Sequence, residues 1–424
     1  MKISLAIIGS FTLATAAGAQ VIDPPAPPAP GTSLPSPGRN PAVTFLMDQY
    51  SLSEGDAQER IDIQNELVTL TKSLNENADP NFAGILVRQT PQFKVTISFA
   101  DKADRKDFLQ SLSPKLRKYV QLRTVKVGKK QRRNELMALS QQIAALGVQA
   151  APGYEADTDN YYVDVSSEAD ATKVRQAFGS LVAAGLQVRV TPIPQTQAGP
   201  SGAVAGDSAH NGYPIYDTTS GAGPCTWGFA VTYGTSNTSG LITAAHCGRP
   251  KVQSYAGHWL TFSAPVTSQN AGAYDYQIFE STGVRSDYYL YYRNDINRIP
   301  EFTGNWLTVN NFIEGYNQFN GQVMCKSGGQ TGLTCGSIID DIYAWRPGYW
   351  FLKVSHTKQY DISKPGDSGG PWFMYPGSST DVTAAGIHVA GIGTGANSVA
   401  VYMPIDRAFD HLPNVKLKFR IGSM

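Results

Sequence analysis

A serine in a glycine-rich turn, a histidine and an aspartate are the residues of this chain best suited to catalysis. The serine is Ser368 of Gly-Asp-Ser-Gly-Gly-Pro, the histidine is His246 of Thr-Ala-Ala-His-Cys, and the aspartate is Asp275 of Ala-Tyr-Asp-Tyr-Gln. A serine hydroxyl is a weak nucleophile at neutral pH unless a base takes its proton, and an acid must orient that base. Each residue alone has an ordinary explanation as a turn or buried polar residue. Together, in the order His, Asp, Ser, they predict nucleophilic catalysis by Ser368.

The glycines around Ser368 predict a second element of that chemistry. Gly366 can adopt a positive φ, and the backbone N–H groups of Gly366 and Ser368 can then point at one spot beside the serine hydroxyl. Such a pair stabilises the negative charge that develops on a carbonyl oxygen, and removing one donor typically costs about 3–4 kcal/mol. We therefore predict an oxyanion hole formed by Gly366 and Ser368.

Length, charge and the N-terminal stretch indicate a secreted protein of two or three domains. The chain has 424 residues and a net charge of +1, so its charge balance indicates no nucleic-acid or anionic-membrane partner. Residues 1–19 resemble a signal peptide, with Lys2, an apolar run and Ala17-Gly-Ala19, and residues 20–41 form a Pro-rich linker. No later apolar run reaches membrane-spanning length. The four cysteines all follow residue 224 and could form two disulfides in three possible pairings.

Residues 42–204 have an α+β pattern. Apolar spacing predicts helices at 61–76 and 130–146, and alternation predicts strands at 92–99 and 161–165. Further helices are expected at 101–118 and 167–184, followed by strands at 120–127 and 186–190, so a strand–helix–strand unit occurs twice. This region contains no nucleophile–base pair and no cluster of metal ligands, and no metal or other cofactor is expected in the chain.

From residue 205 onward the chain reads as all-β. Short apolar stretches are separated by Gly, Asn, Asp and Pro, and a short helix is expected near 405–411. Strands are predicted at 228–233, 241–244, 259–262, 276–279, 336–339, 349–354, 386–392 and 399–403. The preceding segment, 195–212, consists of small and Gly-rich residues of the kind that proteases cut, so an activating cleavage is expected there.

The His and Ser motifs together resemble those of chymotrypsin-fold serine endopeptidases, in particular the streptogrisin and α-lytic protease group. The resemblance covers about residues 205–424. It extends more weakly to the preceding region, where Phe82-Ala-Gly and Pro91-Gln-Phe-Lys-Val95 resemble the group's pro-region. It implies two six-stranded antiparallel barrels with the active site between them. It also implies that residues 42–204 are a pro-region that assists folding of the 205–424 domain and inhibits it until cleavage.

The resemblance also implies roles for individual residues. It makes Ser368 the nucleophile, His246 the base and Asp275 the residue that orients His246, and it pairs Cys225 with Cys247 and Cys325 with Cys335. A basic residue after the first cysteine of the second-barrel loop, here Lys326, would form a buried ion pair with Asp367. The residues that would pair with the substrate backbone are Ile392, Gly393, Thr394 and Gly395.

The primary pocket is expected between residues 362–365 and 392–395. Ile362 stands where trypsin-like enzymes carry an aspartate, so a preference for Lys or Arg is not indicated. His388 lies five residues before Gly393 and therefore on the other face of a regular strand, which argues against its reading an acidic side chain. A large apolar or aromatic side chain is the expected preference.

The function predicted from the sequence is a secreted serine endopeptidase made as a proenzyme. Its partners would be polypeptide substrates and its own pro-region, with no nucleic acid and no membrane. A different serine hydrolase, such as an esterase, is disfavoured because the Ser, Asp, His order of that class is absent. The remaining alternative is a catalytically inactive binding protein on the same scaffold.

Overall fold

The computed structural model describes residues 39–74, 78–196, 225–248, 267–280, 305–358, 360–377, 380–412 and 414–419. It also describes the backbone of strands at 214–215, 252–253, 259–260 and 289–292. The predicted signal peptide, most of the Pro-rich linker and most of the predicted cleavage segment lie outside these residues.

The α-helices of the described chain are concentrated before residue 184. They are α1 (Pro41–Tyr50), α2 (Glu54–Ser73), α3 (Lys106–Ser111), α4 (Pro114–Arg117), α5 (Lys129–Ala145), α6 (Glu168–Ala177), α7 (Gly179–Ala183) and α8 (Asp406–His411). None of the helices in this part of the chain is both long and apolar enough to cross a membrane.

The strands before residue 191 form two separate three-stranded sheets. Their bounds are β1 (Phe82–Arg88), β2 (Lys94–Phe99), β3 (Val120–Thr124), β4 (Ala150–Glu155), β5 (Asn160–Val165) and β6 (Gln187–Val190). In each sheet an antiparallel hairpin is followed by helices and then by a parallel strand, β3 beside β2 and β6 beside β5. The repeated strand–helix–strand unit expected from the sequence is therefore present.

Two of the helices expected in this region are each divided in two. The stretch 101–118 contains α3 and α4, which are separated because Leu112 is extended and Ser113 caps the next helix, its Oγ accepting from the Leu116 backbone N–H at 3.0 Å. Pro114 at the first helical position disfavours a helical conformation in the residue before it, so the longer helix cannot continue. The stretch 167–184 divides at Phe178, whose ψ of 33° departs from helical geometry.

The strands after residue 213 form the β-rich part of the molecule. They are β7 (Pro214–Ile215), β8 (Cys225–Thr226), β9 (Ala230–Tyr233), β10 (Thr238–Thr243), β11 (Val252–Gln253), β12 (Trp259–Leu260), β13 (Thr267–Ala271), β14 (Tyr274–Glu280), β15 (Tyr289–Tyr292), β16 (Asn305–Phe312), β17 (Val323–Gly328), β18 (Gly332–Arg346), β19 (Tyr349–Ser355), β20 (Pro371–Met374), β21 (Asp381–Ile392), β22 (Val399–Pro404) and β23 (Lys416–Leu417).

Within the described residues these strands build one closed barrel, whose sheet β16 and β15 extend beyond β21, one five-stranded sheet, and two two-stranded sheets, β7-β8 and β11-β12. The barrel order is β21-β20-β17-β18-β19-β22, and pairing of β22 with β21 closes a ring of six strands. The five-stranded sheet has the order β13-β14-β10-β9-β23. The predicted strand at 259–262 is the shorter β12, which pairs with β11. This architecture confirms the predicted fold class, a β-rich domain preceded by an α+β region. Of the two six-stranded barrels expected, one is closed within the described residues.

Candidate active site

Two adjacent strands bring His246 and Asp275 together. Strand β10 pairs with β14 in antiparallel register, with Thr243 opposite Gln277. Three residues beyond Thr243, in a 3₁₀ turn over Ala245–Cys247, lies His246, and two residues before Gln277 lies Asp275. Because the strands run in opposite directions, both side chains lie at the same end of the sheet.

The contact between His246 and Asp275 is made through both carboxylate oxygens. His246 Nδ1 lies 2.8 Å from Asp275 Oδ2, and the His246 backbone N–H donates to Oδ1 at 3.1 Å. Asp275 is fully buried, so these bonds offset the cost of removing its charge from water. A proton on Nδ1 leaves Nε2 as the basic nitrogen, and Nε2 has no hydrogen-bond partner among the described residues.

Gln277 supports the turn that carries His246. Its buried side-chain amide donates from Nε2 to the carbonyl of Ala244 at 3.0 Å. That carbonyl belongs to the residue before the 3₁₀ turn, so a polar Gln277 fixes the start of the His246 turn.

The turn that contains Ser368 packs against the turn that carries His246 and against strands β8 and β10. The backbone N–H of Thr226 donates to the Ser368 carbonyl at 2.7 Å, and Cys247 Sγ lies 3.8 Å from that oxygen. Gly369 has a φ of +85°, and a Cβ there would lie 2.0 Å from Thr243 Oγ1. Only glycine fits at 369, so this close approach of the Ser368 turn to the end of β10 depends on it.

Gly366 has the backbone conformation expected of an oxyanion-hole residue. Its φ is +106°, which disfavours side chains other than hydrogen, and its carbonyl accepts from Thr226 Oγ1 at 2.8 Å. This bond fixes the orientation of the peptide that follows Gly366.

The four cysteines form two disulfides. Cys225 is bonded to Cys247 and ties β8 to the His246 turn, and Cys325 is bonded to Cys335 across the β17–β18 hairpin. The first bond therefore restrains the turn that carries His246, and the second restrains the hairpin that carries Lys326.

Lys326 and Asp367 form a buried ion pair beside Ser368. Lys326 Nζ lies 2.7 Å from Asp367 Oδ2, and neither side chain is accessible to solvent. Asp367 also accepts from Thr331 Oγ1 and from the backbone N–H groups of Gln330 and Lys364. Burial alone would raise the pKa of Asp367, but the Lys326 charge and hydrogen bonds from Lys326 and the Thr331 hydroxyl lower it to about 2. The carboxylate is therefore held ionised.

A cavity of about 290 Å³ opens next to Ser368. Residues from both predicted walls line it, namely Ser363, Lys364, Pro365, Ile392, Gly393 and Thr394. Two residues of the predicted walls do not: Ile362 is fully buried in the core, and Gly395 lies outside the lining.

His388 also lines this cavity, which corrects the expectation that it faces away from the pocket. The pairing of β21 with β22 is irregular between His388 and Ala390, so the alternation of side chains along a regular strand is lost there. Trp372 Nε1 donates to His388 Nδ1 at 3.4 Å, which places the ring proton on Nε2. Burial, together with nearby Lys326, lowers the pKa of His388 to about 3, so the ring is neutral.

The cavity lining combines polar and apolar groups, so the expected preference for a large apolar or aromatic side chain stays a prediction. Besides His388, the cavity contains Asp361, Ser363 and Lys364.

A segment of the N-terminal region occupies the edge of the cavity. Gln195 forms an antiparallel bridge with Gly391, whose N–H donates to the Gln195 carbonyl at 3.4 Å, and Gln195 lines the cavity. Just before it, the Pro194 carbonyl accepts from Trp345 Nε1 at 2.7 Å. The predicted cleavage segment, 195–212, therefore begins at the cavity that contains Ser368.

Sequence reasoning missed three residues of this site. Gln195 carried only the signal of a small-residue segment, and His388 was misplaced by the assumption of a regular strand. Arg346 contacts Asp275 at 3.0 Å, but the two residues are 71 positions apart in the chain, so no local pattern predicted this contact.

Comparison with known proteins gives one informative relative. The chain is 26% identical over 384 residues to Streptogrisin-C of Streptomyces griseus, an alignment covering 86% of this chain and 73% of the relative. No family model matches the chain. The chain resembles the streptogrisin group of chymotrypsin-fold serine endopeptidases. This finding confirms the predicted resemblance and the predicted class of enzyme, a serine-type endopeptidase.

Solved structures of bacterial proteases align with about half of the chain. Thermobifida fusca Protease A is 20% identical, with a TM-score of 0.35, over 50% of this chain and 100% of that one. Nocardiopsis Protease is 21% identical, with a TM-score of 0.34, over 50% of this chain and 100% of that one. The similarity to Streptogrisin-C is longer. Because residues 205–424 are only about half of the sequence, it also extends into the N-terminal α+β region.

Proposed function

We propose that this protein is a secreted serine endopeptidase, made as a proenzyme, that uses Ser368, His246 and Asp275. The observation that carries the proposal is the buried His246–Asp275 contact, at 2.8 Å, beside a glycine-rich turn that presents Ser368 to a cavity. The substrates would be polypeptides, and neither a metal nor another cofactor takes part in the proposed reaction.

In the proposed reaction, Ser368 Oγ attacks the carbonyl carbon of the peptide bond while His246 Nε2 takes the hydroxyl proton. His246 then gives this proton to the leaving amine as the C–N bond breaks, which leaves an acyl group on Ser368 Oγ. A water molecule that gives a proton to His246 attacks this acyl group, and the acid is released as Ser368 takes the proton back. Asp275 keeps the proton on Nδ1 and stabilises the charged ring. The N–H groups of Gly366 and Ser368 would bind the negative oxygen of the intermediate.

The proenzyme part of the proposal draws on contacts of the N-terminal region. Gln195 pairs with Gly391 in the manner of an added strand, which is how an extended peptide binds a sheet edge. Residues 392–395 follow Gly391 directly, and they are the proposed substrate-binding segment. While Gln195 lies there, a substrate cannot pair with the same strand, so residues 42–204 would keep the enzyme inactive until the connection is cut.

Mass spectrometry of the chain lacking residues 1–19 tests this proposal. We expect the intact protein to cut itself between residues 195 and 212, and the Ser368→Ala variant to remain full length. Ser239→Ala is the matched control, because Ser239 accepts from Lys418 Nζ and does not line the cavity, and this variant should cut itself as the intact protein does. Cleavage of Ser368→Ala at the same rate in isolation would contradict Ser368 as nucleophile.

A second step separates an inactive scaffold from a latent enzyme. If the intact protein is not cut, an added protease can remove the N-terminal region, and hydrolysis of casein is then measured. Activity that disappears in Ser368→Ala would support the enzyme without self-activation. Continued absence of hydrolysis would overturn the proposal and favour the catalytically inactive binding protein.

A further inference from the structure

An arginine from the closed barrel contacts the buried carboxylate of Asp275. Arg346 is the last residue of β18, and its Nη2 lies 3.0 Å from Asp275 Oδ2, the oxygen that also faces His246 Nδ1. The Arg346 side chain is 18% exposed, whereas that of Asp275 is 0% exposed. The pair is therefore largely shielded from water. An ionic hydrogen bond is stronger in such a low-dielectric environment than in water.

Other contacts fix the guanidinium in this position. Nη1 donates to the Tyr274 carbonyl at 2.8 Å, and Nη2 also lies 3.1 Å from Asn270 Oδ1. The group lies 4.9 Å from the ring centre of Trp345. Arg346 thus binds β13 and β14 of the five-stranded sheet from the end of a strand in the closed barrel, and it spans the junction of the two.

We infer that Arg346 is a positioning residue for the proposed reaction, holding the Asp275 carboxylate against His246 from across the junction of the two β-structures. The inference rests on the proposed function, since it assigns Arg346 a role only if His246 and Asp275 act on Ser368. With Asp275 bonded to the His246 backbone N–H, His246 Nδ1 and Arg346, rotation of the carboxylate away from the imidazole would break an ionic bond.

The positive charge of Arg346 has a separate consequence. Because Arg346 places a positive charge beside the His246–Asp275 pair, its removal is expected to move the acid limb of the activity profile. Among the described residues, the other histidines near the pair are His388 on β21, which is neutral, and His411 on α8, which stacks on Tyr274 at 4.4 Å. The Tyr276 hydroxyl lies 2.6 Å from His411 Nδ1, and burial raises the pKa of Tyr276 to about 12. Met403 on β22 faces the Asp275 backbone N–H with an uncharged sulfur. Arg346 is thus the cation in direct contact with this carboxylate among the described residues.

The test compares pH profiles of kcat and kcat/KM for the activated enzyme and its variants. Arg346→Met removes both the charge and the bonds, and we expect kcat to fall roughly 10- to 100-fold with little change in KM. The acid limb of its profile should move to higher pH. Arg346→Lys keeps the charge, so its acid limb should remain near that of the parent enzyme although kcat falls. Arg407→Met is the matched control, since Arg407 stacks on Trp350 instead and should leave the profile unchanged.

The outcomes separate this inference from the proposed function. A parent enzyme without hydrolytic activity would mean that the proposed function fails. A parent enzyme that is active, with an Arg346→Met variant that keeps its kcat and acid limb, would overturn the role of Arg346 alone. If Arg346→Met does not fold, Arg346→Ala is assayed with added methylguanidinium, and partial recovery of kcat is expected. A folded Arg346→Ala variant that shows no recovery and no shift of the acid limb would also contradict the inference.

Discussion

Lys326 and Asp367 show how a single residue pair can support the turn that carries Ser368. The two side chains are completely buried, and both carboxylate oxygens of Asp367 accept hydrogen bonds. Burying two charges is costly, and the attraction between them offsets that cost only when the geometry is good. Removing one partner is therefore expected to destabilise the protein by much more than the small net free energy that the intact pair contributes.

We predict that Lys326→Met strongly destabilises the protein, by about 3–5 kcal/mol, because Asp367 would remain as an unpaired buried charge. Urea unfolding of the full chain in the Ser368→Ala background measures this loss. Lys115→Met provides the comparison, since Lys115 forms an exposed pair with Asp62 and its removal should cost less than about 1 kcal/mol. Equal midpoints for the two variants would show that the Lys326–Asp367 pair does not stabilise the turn.

At the scale of elements, local sequence signals located the catalytic candidates but not the contacts between distant strands. The turns at His246 and Ser368 depend on glycine, histidine and cysteine residues that are adjacent in sequence, so their spacing revealed them. Strand β17 is buried at every position and lacks alternation, so it was not predicted. Strand β18 was predicted only at 336–339, although it runs from Gly332 to Arg346.

The length of β18 explains why Arg346 could not be predicted. At the C-terminal end of β18, Trp345 donates to the Pro194 carbonyl and Arg346 donates to Asp275. In the turn that follows, the Gly348 backbone N–H donates to Ser140 Oγ at 2.8 Å. Such a position depends on the full register of the β18–β19 hairpin, which is irregular at three places. One hairpin end thus contacts both the N-terminal region and the candidate site.

At the scale of the whole molecule, the N-terminal region and the closed barrel share a buried, charged interface. Lys129 Nζ lies 2.6 Å from Asp341, and Lys353 Nζ lies 3.0 Å from Asp164. Asp340 accepts from the Tyr162 hydroxyl at 2.7 Å and from the Tyr154 backbone N–H at 3.0 Å. Groups from β4 and β5 therefore bury a carboxylate of β18, and the stability of the joined protein depends on its ionisation.

Asp340 makes that dependence measurable. Burial raises its pKa to about 6, although its hydrogen bonds to Tyr162 and to the Ile342 and Tyr154 backbones oppose the rise. The folded protein therefore favours protonated Asp340. This contribution is fully present below about pH 4 and is lost as the pH rises through about 6, with a magnitude of at most about 3 kcal/mol.

We predict that Asp340→Asn, made in the full-length Ser368→Ala protein, removes this pH dependence. The difference in unfolding free energy between parent and variant should therefore decrease by up to about 3 kcal/mol between pH 4 and pH 7, as measured by urea unfolding. A constant difference between parent and Asp340→Asn over this pH range would contradict the assigned role of Asp340.

The most direct test of the central claim is the site of covalent labelling by a fluorophosphonate. We predict that the activated protein loses fluoride from the reagent and gains one phosphonyl group on Ser368 Oγ, seen as a mass increase of the peptide that contains it. His246→Ala should react far more slowly, and Ser368→Ala should not be labelled. Peptide hydrolysis without labelling of Ser368, or equal labelling of Ser368→Ala, would contradict the account.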